Sequence, residues 1–399
     1  MITSTPRPSR TRSRALATSI VFASTLALTA PVGADTLFVA ANGTDGAGCG
    51  IKAAPCRSVS RAVASARRGD TIVVGPGRYG DLAGDGDFDD PGDEAAEIGS
   101  GCNCIIHVTK AVTLVSRDGA GVTILDGSGA TADVVLLDAP ATVFGKKGKG
   151  FTVTGGGNGV RSQSDALTVR GNFAVGNAND GFRLNSTRHT TVADNAARHN
   201  GDQGFGCSGM NDSLLVRNVA SDNGDRGFTV DNRNLLTNNL ASRNGEEGFN
   251  AQNGNTFKGN VAVGNLTEGF SVNDSNVFTA NVAHANHNGF RLDARNLLTK
   301  NAVIANAGVG ILVNDDGTVI TKTSIFGNGG GVQNVPAVNA NCGTLTSDGV
   351  ALQATQNFWG APTGPGADPA DLACNGIGAT TTLDPVASSE IVVRAAAGR

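Results

Sequence analysis

Asp85, Asp87 and Asp89 stand at alternate positions in the run Asp85-Gly86-Asp87-Phe88-Asp89, with Asp90 and Asp93 close behind. Carboxylates spaced this way in a glycine-bearing loop are how a chain wraps Ca²⁺ in oxygen ligands. The run is not an EF-hand, because its sixth position is Asp90 rather than Gly and its twelfth is Ala96 rather than Glu. Ca²⁺ held by Asp85, Asp87, Asp89, Asp90 and Asp93 is the one cofactor expected, against the plainer reading of a solvated acidic loop. Such an ion could order the loop or bridge an acidic glycan to the protein.

Seven cysteines suit an oxidising compartment. Cys49–Cys56 and Cys342–Cys374 are the expected disulfides, each closing a loop near one end of the chain's repeat array. Cys102 and Cys104 could pair with each other or elsewhere.

Any chemistry must be positioned by the elements around it, and from residue 158 those elements repeat. A Gly followed by an apolar residue recurs at Gly159-Val160, Gly181-Phe182, Gly204-Phe205, Gly227-Phe228, Gly248-Phe249, Gly269-Phe270, Gly289-Phe290 and Gly310-Ile311, every 20–23 residues. Two asparagines precede each unit at fixed offsets, as in Asn172 and Asn177 or Asn195 and Asn200. Three residues before the first of them lies an apolar position: Val169, Val192, Leu215, Leu236, Phe257, Phe278, Leu298. Apolar runs this short and alternating suit brief strands rather than helices. Asn and Gly at the breaks tolerate positive φ, which sharp bends require. Stacked one unit per turn, equivalent asparagines would sit about 4.8 Å apart and hydrogen-bond into ladders. A leucine-rich horseshoe, of similar repeat length, needs more Leu and a helical segment in each unit. The fold class expected is all-β, a single-stranded parallel β-helix.

The register assigns Cys207 to an inward slot beside Leu184, Val230 and Leu292, so it reads as a buried structural thiol. The outward slots of the Gly–apolar strand are the best candidate binding face. Arg183, Asn250 and Arg291 directly follow the apolar residue, and Asp231 and Asp293 lie two further on. Amides, carboxylates and arginines interleaved along a groove suit sugar hydroxyls. A lyase would need a base and a neutralising cation, which Arg183, Arg291 and Asp293 could supply. An ordinary solvated sheet face is the alternative. His189, His199 and Asp194 are not clearly placed on one site by the register.

Both ends of the array carry further motifs. Near the start come Phe38-Val39, Asn42-Gly43, Cys49-Gly50, Pro55-Cys56, an amphipathic stretch 58–68, Gly69–Val74 and Pro76-Gly77-Arg78-Tyr79. Near the end come Asn357-Phe358-Trp359-Gly360 and Gly364-Pro365. These resemble the opening and closing signatures of pectin-lyase-like, right-handed parallel β-helix repeat proteins, across roughly residues 36–387. The resemblance implies a right-handed coil with residues 58–68 as an N-terminal capping helix, and Trp359 is expected to cover the other end. It leaves function open, since the superfamily holds lyases, hydrolases, esterases, epimerases and non-catalytic binders. The Gly-His-Gly of polygalacturonase-like members and the Asp-Pro-His-Glu of alginate-epimerase-like members are missing. So are the Met or His stripes of copper-maturation relatives, with Met1 and Met210 the only methionines.

Arg7, Arg10, Arg12 and Arg14, an apolar run over 15–30 and Val32-Gly33-Ala34 read as a signal peptide over 1–34, cleaved after Ala34. Its removal takes the formal charge from −4 to about −8, which disfavours nucleic acid and anionic membranes as partners. Domain expectations are a β-helix over 35–387, an acidic insertion at 81–104, a closing segment at 340–387 and a flexible tail at 388–399. The expected protein is a secreted or periplasmic monomer without a membrane span in its mature chain. Its expected partner is a polysaccharide or cell-surface glycan, bound or processed by lyase, hydrolase or epimerase chemistry. The alternative is a non-catalytic structural or adhesin-like surface protein that uses the β-helix as a rigid scaffold.

Overall fold

Each repeat folds into three short strands, as in Thr168–Arg170, Phe173–Val175 and Phe182–Leu184. The structure, a computed structural model, describes residues 33–99, 101–329, 341–366 and 369–393. Residues 1–32 of the leader expected over 1–34, and the end of the tail, fall outside them. Successive coils stack into three parallel sheets of 14, 12 and 11 strands. The 14-stranded sheet aligns Val169, Val192, Leu215, Leu236, Phe257, Phe278 and Leu298 in one buried column. The 11-stranded sheet stacks Ala174, Ala197, Ala220, Ala241, Ala262 and Ala283 the same way. In the 12-stranded sheet Phe182, Phe205, Phe228, Phe249, Phe270 and Phe290 stack face to face, with successive ring centroids 4.6–4.9 Å apart. Ring separation and strand spacing coincide, so each coil buries its aromatic on the last.

The two asparagine ladders are present. Asn195 is typical: its amide donates to the Val169 carbonyl and to Asn218 Oδ1, and its Oδ1 accepts from the backbone and side-chain amides of Asn172. A third ladder, Asn234, Asn255, Asn276 and Asn296, lines the bend from the 12- to the 14-stranded sheet.

The expectation that asparagine supplies positive φ is corrected. The left-handed residue is the one just before each ladder position, such as Asp194 (φ 56°), Arg217 (54°), Asp222 (58°) and Arg243 (52°). The ladder asparagines are buried, and their side chains satisfy backbone groups inside the bend. The recurrent Gly serves close approach rather than φ. A Cβ at Gly181 would lie 2.8 Å from Asn200 Nδ2 and 2.9 Å from Ala197 Cβ.

The first coil is covered by one short helix, Val59–Ser65, N-capped by Ser58, whose Oγ accepts from the Arg61 amide. Glu94, from the acidic insertion, accepts from the amides of Val59 and Ser60 and from Ser60 Oγ. Lys110 donates to the Val63, Ala64 and Ala66 carbonyls at the other helix end. Trp359 is fully buried near the C-terminal end, which removes it as a sugar-stacking surface. Cys49–Cys56, Cys102–Cys104 and Cys342–Cys374 are disulfides, and Cys207 is a buried free thiol whose pKa burial pushes up to about 12.

Candidate functional site

Strand pairing in the 12-stranded sheet sets one outward column: His107, Leu136, Arg161, Arg183, Gly206, Thr229, Asn250, Ser271, Arg291. Arg183 and Arg291 are therefore five coils apart, about 24 Å at the usual strand spacing. Arg183 cannot share one reaction centre with Arg291 and Asp293, as a lyase set would require. The five residues line one face instead. Arg183 and Arg291 are exposed, Asn250 donates to Glu247 Oε1 at 3.1 Å, and Asp293 accepts from Asn314 Nδ2 at 3.0 Å. Asp231 is half-buried just past its strand.

A tighter cluster lies where the chain enters this sheet, two residues before the recurrent apolar position. Asp180 is buried, and its Oδ1 accepts from the Gln203 amide at 3.0 Å. Its other oxygen lies across Gly206, where a Cβ would sit 2.6 Å from Oδ2. Gly206 is the one glycine in the outward column above, so a carboxylate is laid onto the sheet through the gap. Burial raises the Asp180 pKa to about 6, against relief from the Gln203 amide, with Asp202 and Asp225 raising it and Arg183 lowering it. Asp202, Asp225 and Glu246 stack beside it, each backbone amide donating to the carbonyl of the preceding coil. Burial, then a hydrogen bond to Asp225, raises Asp202. Burial, then Glu246, raises Asp225. Arg226 ties Glu246 and Glu247 together at 2.7 Å each. The arrangement is a buried carboxylate with a raised pKa, under the electrostatic influence of the exposed Arg183 on the same polar face.

Sequence reasoning missed this cluster. Its signal was present as acids one and two residues before the recurrent Gly: Asp180, Asp202, Asp225, Glu246, Glu247 and Glu268.

Asp194, His199 and Asp212 stand at the three different bends of the coil, as does His189 at the same bend as Asp212, so Asp194, His189 and His199 form no catalytic set. Asp194 is instead held by Arg170 and Arg217; their hydrogen bonds outweigh burial and lower its pKa.

In the acidic insertion, Asp81 accepts from the Gly84 and Gly86 amides, and Asp93 from those of Leu82 and Asp90. Among the described residues, three potential ligand atoms converge only at Cys102, Cys104 and His107 and at Asp45, Cys49 and Cys56, whose cysteines are closed as disulfides. Asp85, Asp87, Asp89 and Asp90 are exposed. A hydrogen bond and repulsion from Asp87 raise Asp89; burial, then its acidic neighbours, raise Asp90. The end of the insertion meets the start of the outward column in a cleft of about 420 Å³ lined by Glu97, Cys102, His107, Asp138 and Arg161.

The sequence family described as "Periplasmic copper-binding protein (NosD)" matches residues 106–261. Among curated proteins, none matches the chain in sequence. Among solved structures, the mannuronan C-5 epimerase AlgE4 A-module of Azotobacter vinelandii is similar at TM-score 0.52 and 16% identity, covering 80% of this chain and 91% of its own. The AlgE6 A-module from the same organism gives 0.51 and 17%, covering 79% and 91%. The Agl-KA catalytic domain gives 0.52 and 12%, covering 81% and 64%.

The chain has the right-handed parallel β-helix fold.

Among the described residues, the histidines and Met210 do not converge on one site. Met210 is buried, and His107, His189 and His199 occupy separate strands and bends. Three disulfides and the match to a periplasmic family agree on an exported location, periplasmic or secreted. No helix among the described residues is long and apolar enough to cross a membrane.

Proposed function

We propose that this exported β-helix binds an extended polysaccharide along the outer face of its 12-stranded sheet and acts on it at Asp180. The observation that carries the reading is the Asp180 carboxylate laid across Gly206, with its pKa raised to about 6. A carboxyl that exchanges its proton near neutral pH suits general acid–base work on a sugar. Arg183, one residue past Phe182, would stabilise negative charge that develops beside it. Arg161, Thr229, Asn250, Asp231, Arg291 and Asp293 would bind sugar units to either side. A likeness to mannuronan epimerase modules supports a carbohydrate ligand. Ca²⁺ in the acidic insertion would relieve the crowding of Asp85, Asp87, Asp89 and Asp90 next to the start of this groove.

The test is binding and turnover of residues 35–399 on plant and microbial polysaccharides, with Ca²⁺ and with chelator. Asp180→Asn should abolish product release and retain binding, and Asp87→Ala should remove any Ca²⁺ dependence. Turnover that survives in Asp180→Asn would reject the assigned acid. A chain that binds no glycan would be the rigid surface scaffold instead. The bidentate cross-coil pairs Arg217–Asp194, Arg233–Asp212 and Arg243–Asp222 would then serve only to stiffen the rod.

A further inference from the structure

A second cleft, on a different side of the coil, departs from the repeat that surrounds it. From Gly171 onward, the 14- and 11-stranded sheets are joined by two-residue bends, Gly171-Asn172, Asp194-Asn195 and Arg217-Asn218. The two preceding coils make the same connection with longer loops, residues 117–122 and 145–151. Those loops stand above the tight bends and wall a cleft of about 680 Å³.

Its floor holds Phe173, 46% exposed in the outward slot of its strand. The slots aligned with Phe173 on the following coils are Ala196 and then Val219, so the ring stands proud of a shallow recess. A phenylalanine left in water beside small residues forfeits the burial that places the other aromatics inside the coil.

The polar lining is cationic. Lys147 comes from the upper loop, and Arg198 from the strand after the bend. Asp194, the acid lining the cleft, is already neutralised by Arg170 at 2.8 Å and Arg217 at 2.7 Å. Among the described residues, Lys147 and Arg198 have no ion-pair partner of their own, in a chain of formal charge −4.

We infer that this cleft binds an anionic saccharide, with the C–H face of one sugar on Phe173 and its carboxylate or sulfate held by Lys147 and Arg198. An acidic peptide would satisfy the cations without using the ring; a pyranose offers both an apolar face and an acid. The inference does not rest on Asp180, which belongs to the 12-stranded sheet.

The experiment is calorimetric titration of residues 35–399, in chelator, with a galacturonate tetramer, a cellotetraose and a glutamate tetrapeptide. The galacturonate should bind, more weakly as salt rises, and the other two at least about ten-fold more weakly, a difference of about 1.4 kcal/mol. Phe173→Ala, and Lys147→Ala with Arg198→Ala, should each weaken galacturonate about ten-fold or more. Alanine is the residue the next coil carries in the Phe173 slot, so the fold should tolerate it. Arg295→Ala, at the bend from the 12- to the 14-stranded sheet, should leave this affinity unchanged. Three results would overturn the inference: no galacturonate binding, full affinity in Phe173→Ala, or equal affinity for the peptide.

Discussion

Replacing Asp180 by Asn should make the protein more stable, and only above a certain pH. In the folded chain this carboxyl has a pKa of about 6, against an ordinary value of 3.8. Two units correspond to about 3 kcal/mol of difference between its protonated and ionised forms. Below pH 4 both folded and unfolded chains carry the proton, and the group costs nothing. Between pH 4 and 6 the unfolded chain releases the proton while the folded chain keeps it, so stability falls as pH rises. Above pH 6 the full cost, about 3 kcal/mol, remains in place. Asn fills the same space and keeps an oxygen for the Gln203 amide, without the charge. Urea denaturation of wild type and variant at half-unit steps from pH 4 to 8 should show curves that coincide near pH 4 and separate by about 3 kcal/mol at pH 7. A carboxyl chemical-shift titration of Asp180 would read the same pKa directly. Parallel stability profiles across that range, or a titration near 4, would refute the assignment of a proton-holding acid.

Gly206→Ala would place a methyl 2.6 Å from Asp180 Oδ2. It should displace the carboxylate and lower both turnover and the Asp180 pKa, read by the same titration. Asn239→Ala removes four ladder hydrogen bonds, to Asn218 (two), Leu215 and Asn260, and leaves buried backbone groups unpaired. A loss of roughly 3 kcal/mol or more in denaturation is expected, against near zero for the exposed Asn253→Ala. Glu94→Ala strips the acceptor from two amides of the capping helix and from Ser60 Oγ. Amide exchange of residues 59–65 should accelerate while the coils beyond residue 158 stay protected. Ca²⁺ should raise the melting temperature of wild type and leave Asp87→Ala unmoved, by calorimetry against chelator.

The stacking of Val169, Ala174 and Phe182 on their equivalents was legible in the sequence because each keeps one chemical type in one column for many coils. The third ladder was not, because its column opens with Thr190 and Ser213 and closes with Thr318, and only the middle four members are Asn. The positive-φ sites were hidden for a related reason. Asp, Arg, His, Ala, Lys and Gly all occupy them, since the buried Asn that follows fixes the bend whatever side chain precedes it. The Asp180 cluster escaped because its residues depart from the repeat. Asp180, Gln203, Arg226 and Glu247 are equivalent positions with four different residues, and the decisive partner is the absence of a side chain at Gly206 in the next coil. Phe173 is of the same type as the core aromatics, and only its register, directly after Asn172, puts it in an outward slot.

Glu94 also sets an order of assembly. The first turn of the capping helix lacks its acceptor until residue 94 has been delivered, and Lys110 completes the other helix end later still. In a chain that emerges N-terminus first, the capping helix is therefore complete at both ends only once residues up to Lys110, with the Cys49–Cys56 and Cys102–Cys104 disulfides, are in place. From then on every coil adds to the edge left by the one before, closing its own Asn and Phe contacts as it arrives. The acidic insertion is thereby part of the N-terminal cap as well as a loop beside the groove.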